Sequence, residues 1–294
     1  MRVFVTGASG WVGSAVVPEL ISAGHQVVGL ARSDASAAAI EAAGGAVVRG
    51  GLDDLDVLKS AAAEADGVIH LAFVHDFAQF DTSIGTDARA IEAFGEALQG
   101  TGKPLVVTSG TPIAAQPGQV ATESEEPAPD SPAAGRHANA KLALALAERG
   151  VRSSVVGLPR SVYGEGGTGF VGRMVAVARD TGISGYVGDG SQRWPAVHVK
   201  DAAHLYRLAL EHAPGASMLH AVGDEAVPIR EIAEVIGKHL NLPVESVPAD
   251  EFGFLGAILS VDQPASATIT RELLDWIPIQ PGLLEDLDSG HAFT

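Results

Sequence analysis

The sequence predicts an α/β fold: a doubly wound parallel sheet with a smaller mixed α/β lobe over one edge. Three features predict it. The chain opens with a short apolar run, residues 1–6, then Gly7-Ala8-Ser9-Gly10-Trp11-Val12-Gly13, then apolar Val16, Val17, Leu20 and Ile21 at helical spacing. Short apolar runs next alternate with longer helical patterns, the mark of parallel strands buried on both faces. Beyond Pro159 and Arg160 that alternation breaks into shorter mixed units. We therefore place a nucleotide-binding core at residues 1–160 and mainly a substrate-binding lobe at 161–294, with 194–222 returning to the core.

The opening is the context in which glycines hold a dinucleotide pyrophosphate. Gly7 permits the tight turn, Gly10 brings backbone close to phosphate, and Gly13 lets the helix lie on the sheet. The helix N-terminus offers unpaired N–H groups to the anion, with Ser9, Trp11 and Val12 completing the turn. This is a Rossmann-type start, and Gly24 ends the first helix. Gln26–Ala31 reads as the second strand, 36–43 as a helix stopped by Gly44-Gly45, and Ala46–Arg49 as the third strand. A helix at 54–63, a strand at 67–72, a helix at 84–98 and a strand at 104–108 follow. Crossovers of this length are right-handed, so ligands gather at the carboxyl ends of the strands.

Those ends supply the candidate site. After the second strand the first acid comes only at Asp34, while Arg32 can fork a 2′-phosphate and Ser33 can add a hydroxyl, which favours NADP(H) over NAD(H). Gly51 and Leu52 run under the adenine. Leu71, Ala72 and Phe73 pass the pyrophosphate and nicotinamide ribose, and His70 reads as a packed, hydrogen-bonded histidine. After the fifth strand, Ser109 and Thr111 offer hydroxyls to a substrate oxygen. Residues 116–132, rich in Pro and acids, form a loop bordering the cleft, as a moving lid or a static flap. The following helix, 133–149, carries His137 and Lys141 at i, i+4 on one face, converging with Ser109 and Thr111 beside the nicotinamide.

In the second half, Arg152–Leu158 is the sixth strand, and Pro159 and Arg160 leave it near the nicotinamide. The glycine-rich loop at 164–169 lacks the lysine of a P-loop. Tyr163 and Phe170 are candidates for an apolar substrate wall, and His75, beside Asp76, for the cleft. A helix around 170–179, strands at 186–190 and 194–199, and a helix at 201–212 capped by Asp201 lead to a strand at 217–222. Ile229–Leu240 is an amphipathic helix, followed by a strand at 244–247, helical units at 251–260 and 270–275, and a Pro278/Pro281 tail.

Composition bounds the function. The chain holds no Cys, which excludes disulfides, thiolate nucleophiles and thiolate metal sites. Its 10 His are scattered without His-Glu-x-x-His spacing, so no metal is expected. A net charge of −17 opposes nucleic acid as a partner. The absence of a long uncharged apolar run, or of an N-terminal leader, predicts a cytoplasmic protein with a small-molecule partner and no membrane.

Thr6-Gly7-Ala8-Ser9-Gly10-Trp11-Val12-Gly13, Pro159-Arg160-Ser161-Val162-Tyr163-Gly164, Gly188-Asp189-Gly190 through Val197-His198-Val199-Lys200-Asp201-Ala202-Ala203, and Leu273-Leu274-Asp275-Trp276-Ile277-Pro278 together resemble landmarks of one family. Across almost its whole length the chain resembles the extended and atypical short-chain dehydrogenase/reductases. That family's motif is Tyr-x-x-x-Lys; here it reads His137-Ala138-Asn139-Ala140-Lys141, as in an atypical subgroup with His for Tyr. The resemblance gives Lys141 the ribose-binding role and His137 the tyrosine position. The usual Ser falls on Gly110, leaving Ser109 or Thr111 to orient a substrate oxygen. Arg193 and Trp194 fall where members contact substrate. Members often pair through helices beside the sheet, so the chain is expected as a monomer or homodimer. The implied activity is NADPH-dependent reduction of a small carbonyl or conjugated carbonyl, with His137 as acid or neutral electrophile. A nucleotide-sugar epimerase or dehydratase, and a non-catalytic NADPH-binding regulator, are the alternatives.

Overall fold

The computed structural model describes residues 1–75, 79–114, 116, 118–125, 134–166 and 169–293. Much of the expected 116–132 loop, Asp76 of the cleft and part of the 164–169 loop lie outside the described residues.

The first half alternates as expected: β1 (Arg2–Thr6), α1 (Gly13–Ser22), β2 (Gln26–Ala31), α2 (Asp34–Ala42), β3 (Ala46–Arg49), α3 (Leu55–Glu64), β4 (Gly67–His70), α4 (Phe80–Leu98), β5 (Pro104–Gly110), α5 (Ala134–Ala145) and β6 (Arg152–Leu158). The second half holds β7 (Ser161–Tyr163), α6 (Phe170–Thr181), β8 (Ser184–Tyr186), β9 (Arg193–His198), α7 (Val199–His212), β10 (Ser217–His220), β11 (Asp224–Pro228), α8 (Ile229–Leu240), β12 (Val244–Ser246), α9 (Phe254–Leu259), α10 (Thr268–Leu274) and α11 (Leu283–Asp288). Seven strands form one parallel sheet in the order β10-β6-β5-β4-β1-β2-β3. The order reverses between β1 and β4, which opens the crevice where this architecture binds ligands.

Strand alternation feeds two cores. Val3 and Val5 pack with α1 and α7, while Phe4 between them packs with α3, α4 and α5. Phe94 of α4 is fully buried and stands edge-on to Phe4 and to His70, with ring centroids 6.2 and 5.3 Å away. A third core, built from Val171, Met174, Trp194, Ile229, Ile232 and Leu283, holds the lobe together. There β9 pairs with β7 and β11, and β8 pairs with β12. α7 packs against α1 and β5, and β10 joins the main sheet. Trp276 is fully buried in the same core as α1 and α7.

Several boundaries differ from the sequence expectation, each for a local reason. The fourth strand stops at His70 because Leu71 N–H bonds the Thr6 carbonyl and Ala72 N–H bonds Thr6 Oγ1, turning the chain off the sheet. The fifth runs on to Gly110 through its pairing with Gly157 and Leu158 of β6. α5 gives way to a 3-10 turn at Leu146–Arg149, closed by left-handed Gly150. The expected strand at 186–190 lies earlier, at Ser184–Tyr186, because Gly188 and Gly190 take positive φ and make a turn. Asp201 does not cap α7. His198 does, accepting from Lys200 N–H at 3.1 Å, while the Asp201 carboxylate accepts from the backbone of Ile279 and Gln280, each at 3.0 Å. β11 and α11 were not anticipated.

Candidate active site

The glycine turn is shaped as a phosphate cradle. Gly7 has φ +68, and a Cβ there would stand 2.8 Å from Ala72 N. A Cβ on Gly13 would stand 2.1 Å from the Gly7 carbonyl oxygen, so only glycine lets α1 begin this close to β1. The first turn of α1 has neither an acidic residue nor a side-chain cap, so no carboxylate opposes an anion at its positive end. These residues fit a dinucleotide pyrophosphate. The Trp11 indole donates to the Val162 carbonyl at 3.1 Å and so ties the turn to β7. Ser9 is exposed beside it.

Along the neighbouring strand ends, Arg32 is exposed after β2, and Ser33 caps α2, accepting from Ser36 N–H at 3.2 Å. The acid that follows, Asp34, is engaged by Arg49 at 2.6 Å. Gly51 N–H donates to Asp54 at 2.7 Å, and Leu52 packs on the second core.

Between β4 and β5 lies a buried polar network that the sequence reading missed, apart from its expectation that His70 is packed and bonded. Thr6 Oγ1 accepts from Ala72 N–H and sits 2.6 Å from His70 Nδ1, so its single proton goes to Nδ1 and His70 Nε2–H donates to Asp87 Oδ1 at 3.1 Å. Asp87 Oδ2 accepts from Arg136 at 3.0 Å and from Asn139 at 2.7 Å. Burial alone would raise the Asp87 pKa. The hydrogen bond from His70, then the Arg136 charge and the Asn139 bond, outweigh it and hold the carboxyl below its usual range. Arg136 also donates to the Thr108 carbonyl at 2.9 Å and lies 4.0 Å from the Phe73 ring centroid. Phe73 in turn touches His75, with ring centroids 5.3 Å apart. A signal existed: Asp87 sits in the apolar stripe formed by Ile91, Phe94 and Leu98.

α5 therefore presents two faces. Arg136 and Asn139 turn toward α4 and the β4–β5 gap. His137 and Lys141 instead line a cavity of about 140 Å³ with Gly110, Glu123, Met218 and His220, on the β10 side. The cation at the β4–β5 gap is Arg136, which the His-x-x-x-Lys reading passed over. His137 is buried, and its pKa is lowered first by burial and then by the charges of Arg136 and Lys141, so the ring is neutral. Ser109 and Thr111 are buried at the end of β5 with hydroxyls that make no hydrogen bond, and they do not line that cavity.

On the lobe side, Pro159 and Arg160 leave β6 as expected, and Arg160 donates to Gln263. Three expected substrate contacts are engaged elsewhere. Arg193 grips Asp262 bidentately, at 3.0 and 2.7 Å. Trp194 is fully buried in the lobe core, 6.1 Å from the Phe170 ring. The Tyr163 hydroxyl donates to the Pro281 carbonyl at 2.8 Å and faces Asp224 at 3.2 Å; burial, then Asp224, push its pKa far up. Among the described residues no group of three His, Cys, Asp or Glu could hold a metal, and no helix is long and apolar enough to cross a membrane.

A glycine cradle at the switch point of a parallel sheet, with a charged network at the next strand ends, defines a dinucleotide-dependent enzyme of the short-chain dehydrogenase/reductase type. The chain belongs to the NAD dependent epimerase/dehydratase family, whose model matches residues 3–219. An uncharacterised protein of Schizosaccharomyces pombe is 48% identical, with both chains covered in full. The 2-alkyl-3-oxoalkanoate reductase of Stenotrophomonas maltophilia is 28% identical over 83% of this chain and 77% of its own. Among solved structures, MoeE5 in complex with UDP-glucose and NAD superposes with a TM-score of 0.80 at 24% identity, covering 99% of this chain and 97% of its own.

Proposed function

We propose that the protein is an NADPH-dependent reductase of a small carbonyl or conjugated carbonyl compound. One observation carries this reading: a buried, neutral imidazole, His137, opens on a cavity at the carboxyl end of β5. A neutral imidazole N–H is a hydrogen-bond donor that polarises a carbonyl, a role documented for neutral histidine elsewhere. Lys141, a turn below, helps keep that ring uncharged. Arg136, which lies over Phe73 and donates to the Thr108 carbonyl, is our candidate cation for the ribose hydroxyls. When bound, NADPH supplies the hydride. Arg32, exposed after β2 with no acid before Asp34, supports the preference for its 2′-phosphate.

Fluorescence titration with NADPH and NADH, followed by a carbonyl panel monitored for cofactor oxidation, tests the reading. Tighter NADPH binding and oxidation that requires one carbonyl compound are expected. Conversion of UDP-glucose without net cofactor oxidation would replace it with the epimerase reading, and tight binding with no turnover would favour a regulatory protein.

A further inference from the structure

Among the described residues, Arg160 is a cation without an anion. It follows β6 at the carboxyl edge of the sheet, and its guanidinium donates to the neutral amide of Gln263, whose own NH₂ donates to the Thr111 carbonyl at 2.8 Å. Its Nε–H is fully buried and makes no hydrogen bond. Among the described residues no carboxylate pairs with it, and burial, unopposed by any negative neighbour, lowers its pKa to about 10. The guanidinium carbon stands 5.6 Å from the Phe170 ring centroid. Arg193, nearby in the lobe, differs because Asp262 neutralises it. A desolvated charge left unpaired destabilises a fold, and such groups concentrate where a ligand completes the pair.

Two further buried hydroxyls adjoin it. Thr111 Oγ1 and Ser161 Oγ make no hydrogen bond. Thr111 is linked to Arg160 through Gln263, and Ser161 follows Arg160 in the chain.

We propose that Arg160 anchors a carboxylate carried by the substrate. The proposal rests on the carbonyl-reductase reading and narrows its substrate to an oxo acid. The cofactor's own anions belong elsewhere: the pyrophosphate cradle adjoins β1, three strand spacings or about 14 Å from β6, and Arg32 lies beyond it on the far side. A single uncompensated positive charge matches a monoanion, whereas a nucleotide diphosphate would bring two negative charges to it. The planar guanidinium also takes both oxygens of a carboxylate at once.

The test uses acetoacetate, pyruvate and their methyl esters, titrated calorimetrically against the wild type, Arg160→Gln and Arg160→Lys, with and without NADP⁺. At least one acid is expected to bind the wild type about tenfold more tightly than its ester. The preference is expected to vanish in Arg160→Gln and to return in part in Arg160→Lys. Unliganded Arg160→Gln is expected to melt higher than wild type, because an unpaired buried charge has gone; a purely structural arginine would give a lower melting point. Equal binding of acids and esters, binding of no acid, or a preference surviving in Arg160→Gln overturns the proposal. So does a loss of NADPH affinity confined to the Arg160→Gln protein, or UDP-glucose binding that depends on Arg160. If the wild type itself fails to bind NADPH, the reductase reading falls, while the acid-over-ester comparison without cofactor still decides the role of Arg160.

Discussion

Asp87 accepts hydrogen bonds from His70, Arg136 and Asn139 while 2% exposed. Removing one member of a buried charged group leaves the others unpaired, so Asp87→Ala should cost about 3–5 kcal/mol, read from urea unfolding. A cost under about 1 kcal/mol would mean that water or a neighbour replaces the carboxylate. The pH dependence has a definite sign. With the folded pKa below the ordinary 3.8, the stabilisation is complete above that value and is lost as pH falls through the lower folded value. Asp87→Asn should therefore flatten the acid limb of the stability profile. Gly13 gives a second expectation at this scale: Gly13→Ala places a methyl 2.1 Å from a carbonyl oxygen. It should cost about 3 kcal/mol and abolish dinucleotide binding, measured by melting and by fluorescence titration. The glycines were legible because their spacing is itself the signal, whereas Arg160 was legible as a position and not as an unpaired charge.

α5 shows what a sequence period can and cannot specify. The i, i+4 spacing of His137 and Lys141 correctly puts both on one face of the helix, but spacing alone does not say which face meets the crevice. That depends on Asp87 on α4, which draws Arg136 and Asn139 to the β4–β5 gap and leaves His137 and Lys141 on the cavity at the carboxyl ends of β5 and β10. The strands β2 and β6 were legible to the residue because each is a buried run, and the half-exposed edge strand β3 because Gly44-Gly45 and Gly50 bracket it. β11, Asp-Glu-Ala-Val-Pro, was not, since it is short and polar and exists through its pairing with β9. Three buried histidines, His137 on α5, His198 at the start of α7 and His220 on β10, share a lowered pKa, each chiefly through burial. Unfolded, each takes up a proton near 6.5, and folded it does not, so stability should fall as pH drops below that value. The melting temperature should decline between pH 7 and pH 5, and His137→Gln should remove part of that slope. An unchanged profile would show that His137 is protonated in the fold.

For the whole molecule, the reversal of strand order between β1 and β4 places the glycine cradle, the buried network and the β5–β6 ends along a single carboxyl edge. The lobe's three-stranded sheet begins at β7, right after Arg160, so substrate groups that reach Arg160 bind at the seam between sheet and lobe. A ligand on that edge stabilises the folded chain by mass action, about 2.7 kcal/mol at a hundredfold excess over Kd. NADPH should therefore raise the melting temperature by several degrees, and more than NADH at equal concentration; equal shifts would remove the role given to Arg32. A parallel sheet with its ligand edge at the strand carboxyl ends follows from the βα alternation, but the strand order and which side chains face the crevice depend on long-range contacts that no local pattern encodes.

The decisive measurement is turnover of the carbonyl substrate by wild type and His137→Phe at saturating NADPH. A neutral imidazole polarising the carbonyl leads to a fall in kcat of about 10²-fold or more, with the Kd for NADPH unchanged. An undiminished kcat would contradict it.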